Sequence, residues 1–518
     1  MKKLVLFVIS AFLLFGNSAA YTANNTLVQQ RTVITGTLLG HDGKPMSKAH
    51  VHLTRINETK PLASVEVSPN GSFQFVTSET GLLRLQFTGA NHMMREVPLL
   101  AEKPLQLKIH VQLEAYEYAN NFEGVKIAGD FNEFSAHTAQ AMKRHPNGTY
   151  VAVLKASGVK FAYQLLNIEK HGRSINGTQS EDYVYDGGGD YRSVVTPKNG
   201  RVKIGFDPKL LARSNATARL TFEKANYVEA RFASIYDGIK QRRNNLSNAV
   251  AAYKKKGSSL HRFRFDRSSD LANLSKQIAE ERNQTLRQAL LLAYLDLGYG
   301  SYGAQLDPSV VQMTLAEIAP NSPLWSFEPY LIEVAVRNSK REAQYAKYIL
   351  EIIDNHPDPE VKRIIRAVLS PDRKIMEGKK VPPFSLPSLD DPKQTFTPES
   401  LKGKVYLIDF WAVWCQPCLA EMENLHEVYG KFKPQGLEIL SLSLDAKPED
   451  VNEFRRDKWK MPWLHSFVGL KGGALKQFEV VGIPKTILVN RNGEIVATGV
   501  DLRGSRLSET LEQVFQSK

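Results

Sequence analysis

Two cysteines, the only ones among 518 residues, stand at Cys415 and Cys418 with two residues between them. They follow the apolar run at residues 405–408, whose β-branched and aromatic side chains are typical of a buried strand. From residue 418 to 429 apolar residues recur at helical spacing, which predicts a helix. Cys415 is therefore expected where a strand passes into the first turn of a helix. Unpaired backbone N–H groups and the helix dipole stabilise a thiolate at that position.

The chemistry that suits this position is dithiol–disulfide exchange, with Cys415 as the attacking thiolate and Cys418 as the resolving thiol. Two alternatives stay open. The pair could be half of a zinc site, but structural zinc takes four ligands and the sequence offers no second C-x-x-C or nearby histidine pair. It could also be a structural disulfide, although such bonds more often join distant segments. Redox exchange is favoured, and neither a metal nor a cofactor is expected.

The residues around the cysteines resemble a known family. The sequence W-C-Q-P-C at residues 414–418, after D-F-W-A at 409–412, is similar to thioredoxin and more closely to the TlpA/ResA-like branch of the AhpC/TSA redoxin superfamily. The resemblance covers residues 378–518. It implies a C-terminal α/β thioredoxin-like fold and the activity of a protein-disulfide oxidoreductase.

The resemblance also implies roles for individual residues. Pro484 would be cis and pack beside the disulfide, with the backbone of Ile483 pairing with an extended client segment. Asp409 matches a buried carboxylate that assists proton transfer at the resolving cysteine, and burial in an apolar strand would raise its pKa; the alternative is a solvated residue at a strand end. Glu421 corresponds to an acidic residue near the cysteines. Trp414, next to the thiolate, is a candidate client contact.

The implied partners are client proteins with thiols or disulfides, together with a possible membrane electron donor that resets the pair. Gln416-Pro417 and the residue before Pro484 favour a reductant, while a disulfide oxidase or isomerase remains an alternative. The net charge of +13 is spread along the chain without any nucleic-acid-binding motif, so nucleic acid is not an expected partner.

The chain is too long for one hydrophobic core, since single cores rarely exceed about 300 residues. Residues 1–20 have the layout of a secretory signal peptide: Lys2 and Lys3, an apolar stretch at 4–15, and small residues at 18–20. We therefore expect export to the periplasm or cell envelope. An otherwise cysteine-free chain suits an oxidising compartment, because the one dithiol cannot be scrambled with structural disulfides.

Residues 32–114 alternate apolar and polar side chains between turn signals, which predicts an antiparallel β-sandwich. The segment resembles the carboxypeptidase regulatory-like module. His50 and His52 share one face of a strand, but no third ligand lies nearby in the sequence, so solvated side chains are expected rather than a metal site.

Residues 115–206 predict a second β-sandwich that resembles the early-set, glycogen-binding-like modules. Phe134, Tyr183 and Tyr185 could form an aromatic platform, but the segment contains no tryptophan, so carbohydrate binding is not favoured. An alternative function is a cell-envelope protein that binds carbohydrate or a partner and carries an accessory dithiol. Residues 207–372 show helical periodicity and predict an all-α array that precedes the redox domain at 378–518.

Overall fold

A computed structural model describes residues 31–516, apart from 47, 59, 119–121, 137, 157, 171, 178–181, 187–189, 212–217, 225–226, 257–262 and 301. The expected signal peptide at residues 1–20 lies outside the described residues. The chain divides into two compact units between Ala233 and Ser234. The division groups the predicted helical array with the redox domain, and each unit is described by itself below.

The first unit begins with two four-stranded sheets that share one hydrophobic core. Strict alternation of buried and less buried residues along the first strand directs Ile34 and Leu38 into that core. The sheets have the orders β16-β7-β1-β4 and β3-β2-β5-β6. Their strands are β1 Thr32–Leu39, β2 His50–Arg55, β3 Ala63–Glu66, β4 Ser72–Thr77, β5 Gly81–Thr88, β6 Arg95–Ala101, β7 Gln106–Gln112 and β16 Arg219–Phe222.

Two features of these sheets differ from the expectation. β1 and β7 pair in parallel, so the prediction of an antiparallel sandwich is wrong for this pair. The alternation of side chains is the same in both pairings, so the sequence pattern could not distinguish them. In addition, Arg219–Phe222 falls within the range predicted to be helical, yet it forms an edge strand antiparallel to β7. Leu220 and Phe222 pack against the core of these sheets, which explains the extended conformation.

The next strands of this unit form a three-stranded sheet, β10-β11-β15, and a five-stranded sheet, β13-β14-β12-β8-β9, around a second core. The strands are β8 Lys126–Gly129, β9 Gln140–Ala141, β10 Lys143–Arg144, β11 Tyr150–Lys155, β12 Phe161–Leu166, β13 Asp182–Tyr185, β14 Tyr191–Val195 and β15 Arg201–Phe206. Two of the candidate platform aromatics are half-buried by contacts within the chain: the Arg192 guanidinium lies 4.0 Å from the ring centroid of Phe134, and Tyr185 stacks on His52 at 4.4 Å. The module families suggested for both pairs of sheets stay predictions.

The described residues from 228 to 369 form seven α-helices. Asn283, Asp307 and Asp358 each accept a backbone N–H in the first turn of the helix that follows, which defines three of the helix starts. Among the described residues, no helix combines the length and apolar character needed to cross a bilayer. The helices are α1 Val228–Lys255, α2 Ser268–Glu280, α3 Gln284–Asp296, α4 Pro308–Glu317, α5 Tyr330–Asn338, α6 Ala346–Asn355 and α7 Pro359–Leu369.

The C-terminal part of the second unit is built on a five-stranded sheet of order β21-β20-β19-β22-β23. β19 is parallel to β20 and antiparallel to β22. β21 and the short α10 were not anticipated from the sequence. The elements are β17 Leu386–Pro387, β18 Thr395–Phe396, β19 Val405–Trp411, α8 Gln416–Phe432, β20 Leu437–Ser443, α9 Pro448–Asp457, β21 Leu464–Phe467, α10 Gly473–Gln477, β22 Lys485–Val489, β23 Ile495–Thr498 and α11 Ser505–Gln516.

The histidines of β2 do not match the expectation of solvated side chains. The rings of His50 and His52 stack 5.7 Å apart, and only 2% of His52 is exposed. His52 also contacts Tyr185, and its Nδ1 lies 2.8 Å from the hydroxyl of Ser64. Burial lowers the pKa of His52 to about 4, with a smaller contribution from His50. The expectation of solvation is wrong for His52, because Tyr185 and Ser64 cover it, whereas His50 is half-buried.

The first unit should therefore lose stability in mild acid. A histidine whose folded-state pKa is lowered contributes stability above its unfolded pKa of about 6.5, and this contribution falls as pH drops towards 4. His52→Gln should reduce the loss of stability between pH 7 and pH 5. His145→Gln, at an exposed position, should leave that loss unchanged. Hydrogen exchange of the peptide containing β2, corrected for intrinsic exchange rates, measures this. An acid sensitivity unchanged by His52→Gln would contradict the assignment.

Candidate active site

The cysteine pair is positioned by the central strand of the C-terminal sheet. All seven residues of β19 are buried, and β19 hydrogen-bonds to a strand on each side. Four residues after the end of β19, Cys415 caps the N-terminus of α8: its Sγ accepts the backbone N–H of Cys418 at 3.2 Å. Cys415 and Cys418 are joined in a disulfide. The strand-to-helix junction expected from the sequence is therefore present in the structure.

The position at the helix start favours a thiolate once the disulfide is reduced. Backbone N–H groups of the first turn and the positive end of the helix dipole both lower the free energy of an anion there. Pro417 occupies the first turn without removing a hydrogen bond. Cys415 is 4% exposed and Cys418 is 2% exposed, while Trp414 beside them is 54% exposed. The helix start therefore activates the sulfur of Cys415 rather than that of Cys418.

Asp409 lies within β19 and is buried. The hydroxyl of Ser441 on β20 donates to its Oδ2 at 3.4 Å, and Trp463 Nε1 donates to that hydroxyl at 2.9 Å. Burial raises the pKa of Asp409 to about 7; the Ser441 bond opposes this rise and the charge of Glu421 adds to it. A carboxyl group with such a pKa can both take up and release a proton near neutral pH.

Glu421 lies one helical turn after Cys418 and connects α8 to the segment before α11. Its Oε2 accepts the backbone N–H of Gly504 at 3.0 Å and the Asn424 side-chain amide at 3.2 Å. Asn424 also donates to the Gly504 carbonyl at 3.1 Å. The acidic residue therefore has a structural function as well as an electrostatic effect on Asp409.

The loop before β22 is brought to the same edge of the sheet. Lys485, the first residue of β22, pairs with Phe410 near the end of β19. The peptide bond between Ile483 and Pro484 is cis, as the resemblance implies. Arg503 donates to the Pro484 carbonyl at 2.5 Å. Ile483 is half-buried and Pro484 is buried. The strand pairing thus places the proline loop and the end of β19 close together.

One residue that supports the site was missed by the sequence analysis. Asp445 follows β20 and is buried; its Oδ1 accepts the backbone N–H of Val413 at 3.0 Å, and the Ser443 hydroxyl donates to its Oδ2 at 2.8 Å. It therefore holds the connection between β19 and Cys415. The available signal was an acidic residue at the carboxyl end of a buried strand, where parallel sheets place their functional loops.

Within the described residues, no group of three or more His, Cys, Asp or Glu side chains is arranged to hold a metal ion. The candidate residues Cys415, Cys418, Asp409, Trp414 and Glu421 belong to β19, α8 and the junction between them. Ile483 and Pro484 directly precede β22, which pairs with β19. The arrangement combines a helix-capping sulfur, a second sulfur bonded to it and a carboxyl group whose pKa is about 7. These are the groups that thiol–disulfide exchange requires.

Comparison with known proteins agrees with this geometry. Residues 378–498 match the AhpC/TSA family. The thiol-disulfide oxidoreductase ResA of Oceanobacillus iheyensis is 33% identical over 144 residues, which cover 26% of this chain and 72% of that protein. ResA of Bacillus cereus is 28% identical over 30% of this chain and 84% of its own length. The thiol:disulfide interchange protein DsbE of Vibrio cholerae is 29% identical over 27% and 75%, respectively.

The chain belongs to the ResA-like redoxins. Its C-terminal part accordingly has the thioredoxin-like fold, and the enzyme is a thiol–disulfide oxidoreductase. The matched relatives cover less than a third of the chain, so they bear on the ResA-like domain and not on the sheets and helices before it.

The buried carboxyl group of this ResA-like domain should produce a measurable pH dependence of stability. Because the pKa of Asp409 is raised in the folded state, folding is penalised as pH rises from about 4 to about 7. Asp409→Asn removes this penalty and should stabilise the domain at pH 8 by a few kcal/mol, since one pKa unit corresponds to about 1.4 kcal/mol.

Urea unfolding followed by tryptophan fluorescence measures this effect, because all five tryptophans lie between residues 325 and 463. Asp457→Asn, on the surface at the end of α9, is the control and should keep the wild-type pH profile. Parallel profiles for wild type and Asp409→Asn would contradict the raised pKa.

Proposed function

We propose that this protein is an exported thiol–disulfide oxidoreductase that reduces disulfides in client proteins. The observation that carries the proposal is the Cys415–Cys418 pair at the N-terminus of α8, preceded by a strand that carries a buried carboxyl group with a pKa of about 7. Relatives named as thiol-disulfide oxidoreductases support the chemistry. The signal-like sequence at residues 1–20 supports export.

The reaction proceeds in two exchanges. The Cys415 thiolate attacks one sulfur of the client disulfide, forming a mixed disulfide and releasing the other client sulfur as a thiolate, which is then protonated. Cys418 loses its proton and attacks Cys415 Sγ, which frees the second client sulfur. The client gains two electrons and two protons, and the enzyme is left with the Cys415–Cys418 disulfide.

Several residues assist these exchanges. Asp409 accepts the proton of Cys418, and Glu421 helps to keep the pKa of Asp409 high enough for this task. The backbone of Ile483, beside the cis Pro484, pairs with an extended client segment, and the exposed Trp414 contacts the client next to the disulfide. No cofactor takes part. A membrane electron donor returns the pair to the dithiol.

Removing the resolving cysteine should trap clients. In Cys418→Ser the first exchange still occurs, but the mixed disulfide with Cys415 cannot be resolved. We expect adducts on non-reducing gels when the variant is expressed with its signal peptide, and their loss on reduction. Cys415→Ser, the matched control, should give none. An absence of adducts with Cys418→Ser, or equal adducts with both variants, would refute the assigned order of attack.

The direction of electron flow is tested by the reduction potential of the full chain, equilibrated in dithiothreitol buffers. The Gln416-Pro417 pair adds no positive charge that would stabilise the thiolate further, so the couple should remain reducing. We expect a value nearer to the ~−270 mV of thioredoxin than to the ~−120 mV of DsbA. A value near the latter would instead favour the disulfide oxidase.

A further inference from the structure

The proline loop at residues 481–484 lies against the helical array, within the second unit. Nη2 of Arg363, on α7, donates to the carbonyl of Val481 at 3.4 Å. A Cβ atom added to Gly482 would lie 3.1 Å from the hydroxyl of Tyr330 at the start of α5. Two helices that lie outside the residues matched by the AhpC/TSA family therefore contact the loop on which the client is proposed to pair.

Both side chains are held by their own surroundings. Glu360, one turn before Arg363 on α7, accepts two hydrogen bonds from the guanidinium, at 2.8 and 2.5 Å. The Tyr330 ring lies 6.2 Å from the ring of Tyr299. Burial raises the pKa of Tyr330 to about 12, so its hydroxyl stays neutral. The two groups are thus positioned before any client arrives.

A third contact fixes the array near the same loop. The carboxylate of Glu479, two residues before the loop, accepts the backbone N–H groups of Lys374 and Ile375 at 2.9 and 3.1 Å. These two residues belong to the connection that leaves α7. The loop is therefore held by the array at its start and by the connection just before it.

The part of the loop that remains open lies directly beside these contacts. The backbone N–H and C=O of Ile483 form no hydrogen bond with any described residue. Gly482 is exposed. We therefore expect an extended polypeptide that pairs with Ile483 to run next to Tyr330 and Arg363, whereas a small disulfide has no segment that must pair with this loop.

We propose that α5 and α7 form one wall of the client groove, in which Arg363 positions the proline loop and Tyr330 limits the groove's width. The wall makes the enzyme selective for disulfides carried on extended polypeptide segments. This inference rests on the proposed function, because it assumes that clients pair with the loop. It assigns to the helical array a role in client selection.

The test compares two disulfides with the reduced full chain, insulin as a polypeptide disulfide and oxidised glutathione as a small one. Arg363→Ala should slow the reaction with insulin about fivefold, the effect of losing one positioning hydrogen bond. The rate with oxidised glutathione and the reduction potential should not change. Lys362→Ala, the matched control, removes the neighbouring cation, which donates to the Asp354 carbonyl instead of the loop.

A second pair of variants keeps the proposal falsifiable if Arg363→Ala folds poorly. Gly482→Ala places a methyl group against the Tyr330 hydroxyl and should slow the insulin reaction selectively. Adding Tyr330→Phe should restore part of the rate, because the clashing oxygen is gone. Unchanged insulin rates in these variants, or equal slowing with both disulfides, would overturn the proposal that α5 and α7 form a wall of the client groove. A wild-type chain that reacts with neither disulfide would overturn the proposed function itself.

Discussion

The burial of β19 between two hydrogen-bonded neighbours is the constraint on which the redox site depends. With all seven residues inside the sheet, the strand cannot slip in register without moving its whole side-chain set to the wrong face. Its carboxyl end therefore delivers Cys415 to one point, and the antiparallel pairing with β22 delivers the proline loop to the same edge. The loop after β20 adds Asp445, whose bond to Val413 fixes the turn between strand and helix. Three neighbouring strands thus define the geometry of one disulfide.

The same burial lowers the stability of the fold but raises the pKa of Asp409, and proton transfer depends on that raised pKa. A carboxyl group inside a sheet is destabilising when ionised, because the interior solvates charge poorly. Among the described residues a single hydroxyl donates to the Asp409 carboxyl group, at 3.4 Å, and that hydroxyl also accepts from Trp463. Stronger hydrogen bonding would stabilise the fold but would lower the pKa and leave the group permanently ionised. Sparse solvation keeps the proton exchangeable near neutral pH, at a cost in stability.

Local patterns predicted the strand and the helix on either side of Cys415, because the two elements are adjacent in sequence at residues 405–429. The family resemblance extended this to the proline loop. What could not be predicted depends on contacts between distant residues. His52 is buried by Tyr185, which stands more than 100 residues later, and the parallel partner of β1 is β7 at the other end of the same pair of sheets. Arg363 carries no sequence signal of its own, and the position of Asp445 after a buried strand does not reveal its partner, since each acts through a backbone group that only the fold brings near.

Specificity and reactivity have different physical sources in this arrangement. Reactivity depends on the helix start at Cys415 and on the buried carboxyl group, both of which belong to the ResA-like domain. The cysteines themselves are almost inaccessible, so a client must be brought to them by the surface that remains open, which includes Trp414 and the loop at Ile483. That loop is held from the outside by α7 and bordered by α5. Changes in these helices can therefore alter which disulfides are reached while the redox couple stays the same, and a common redoxin domain can acquire different clients from the chain that precedes it.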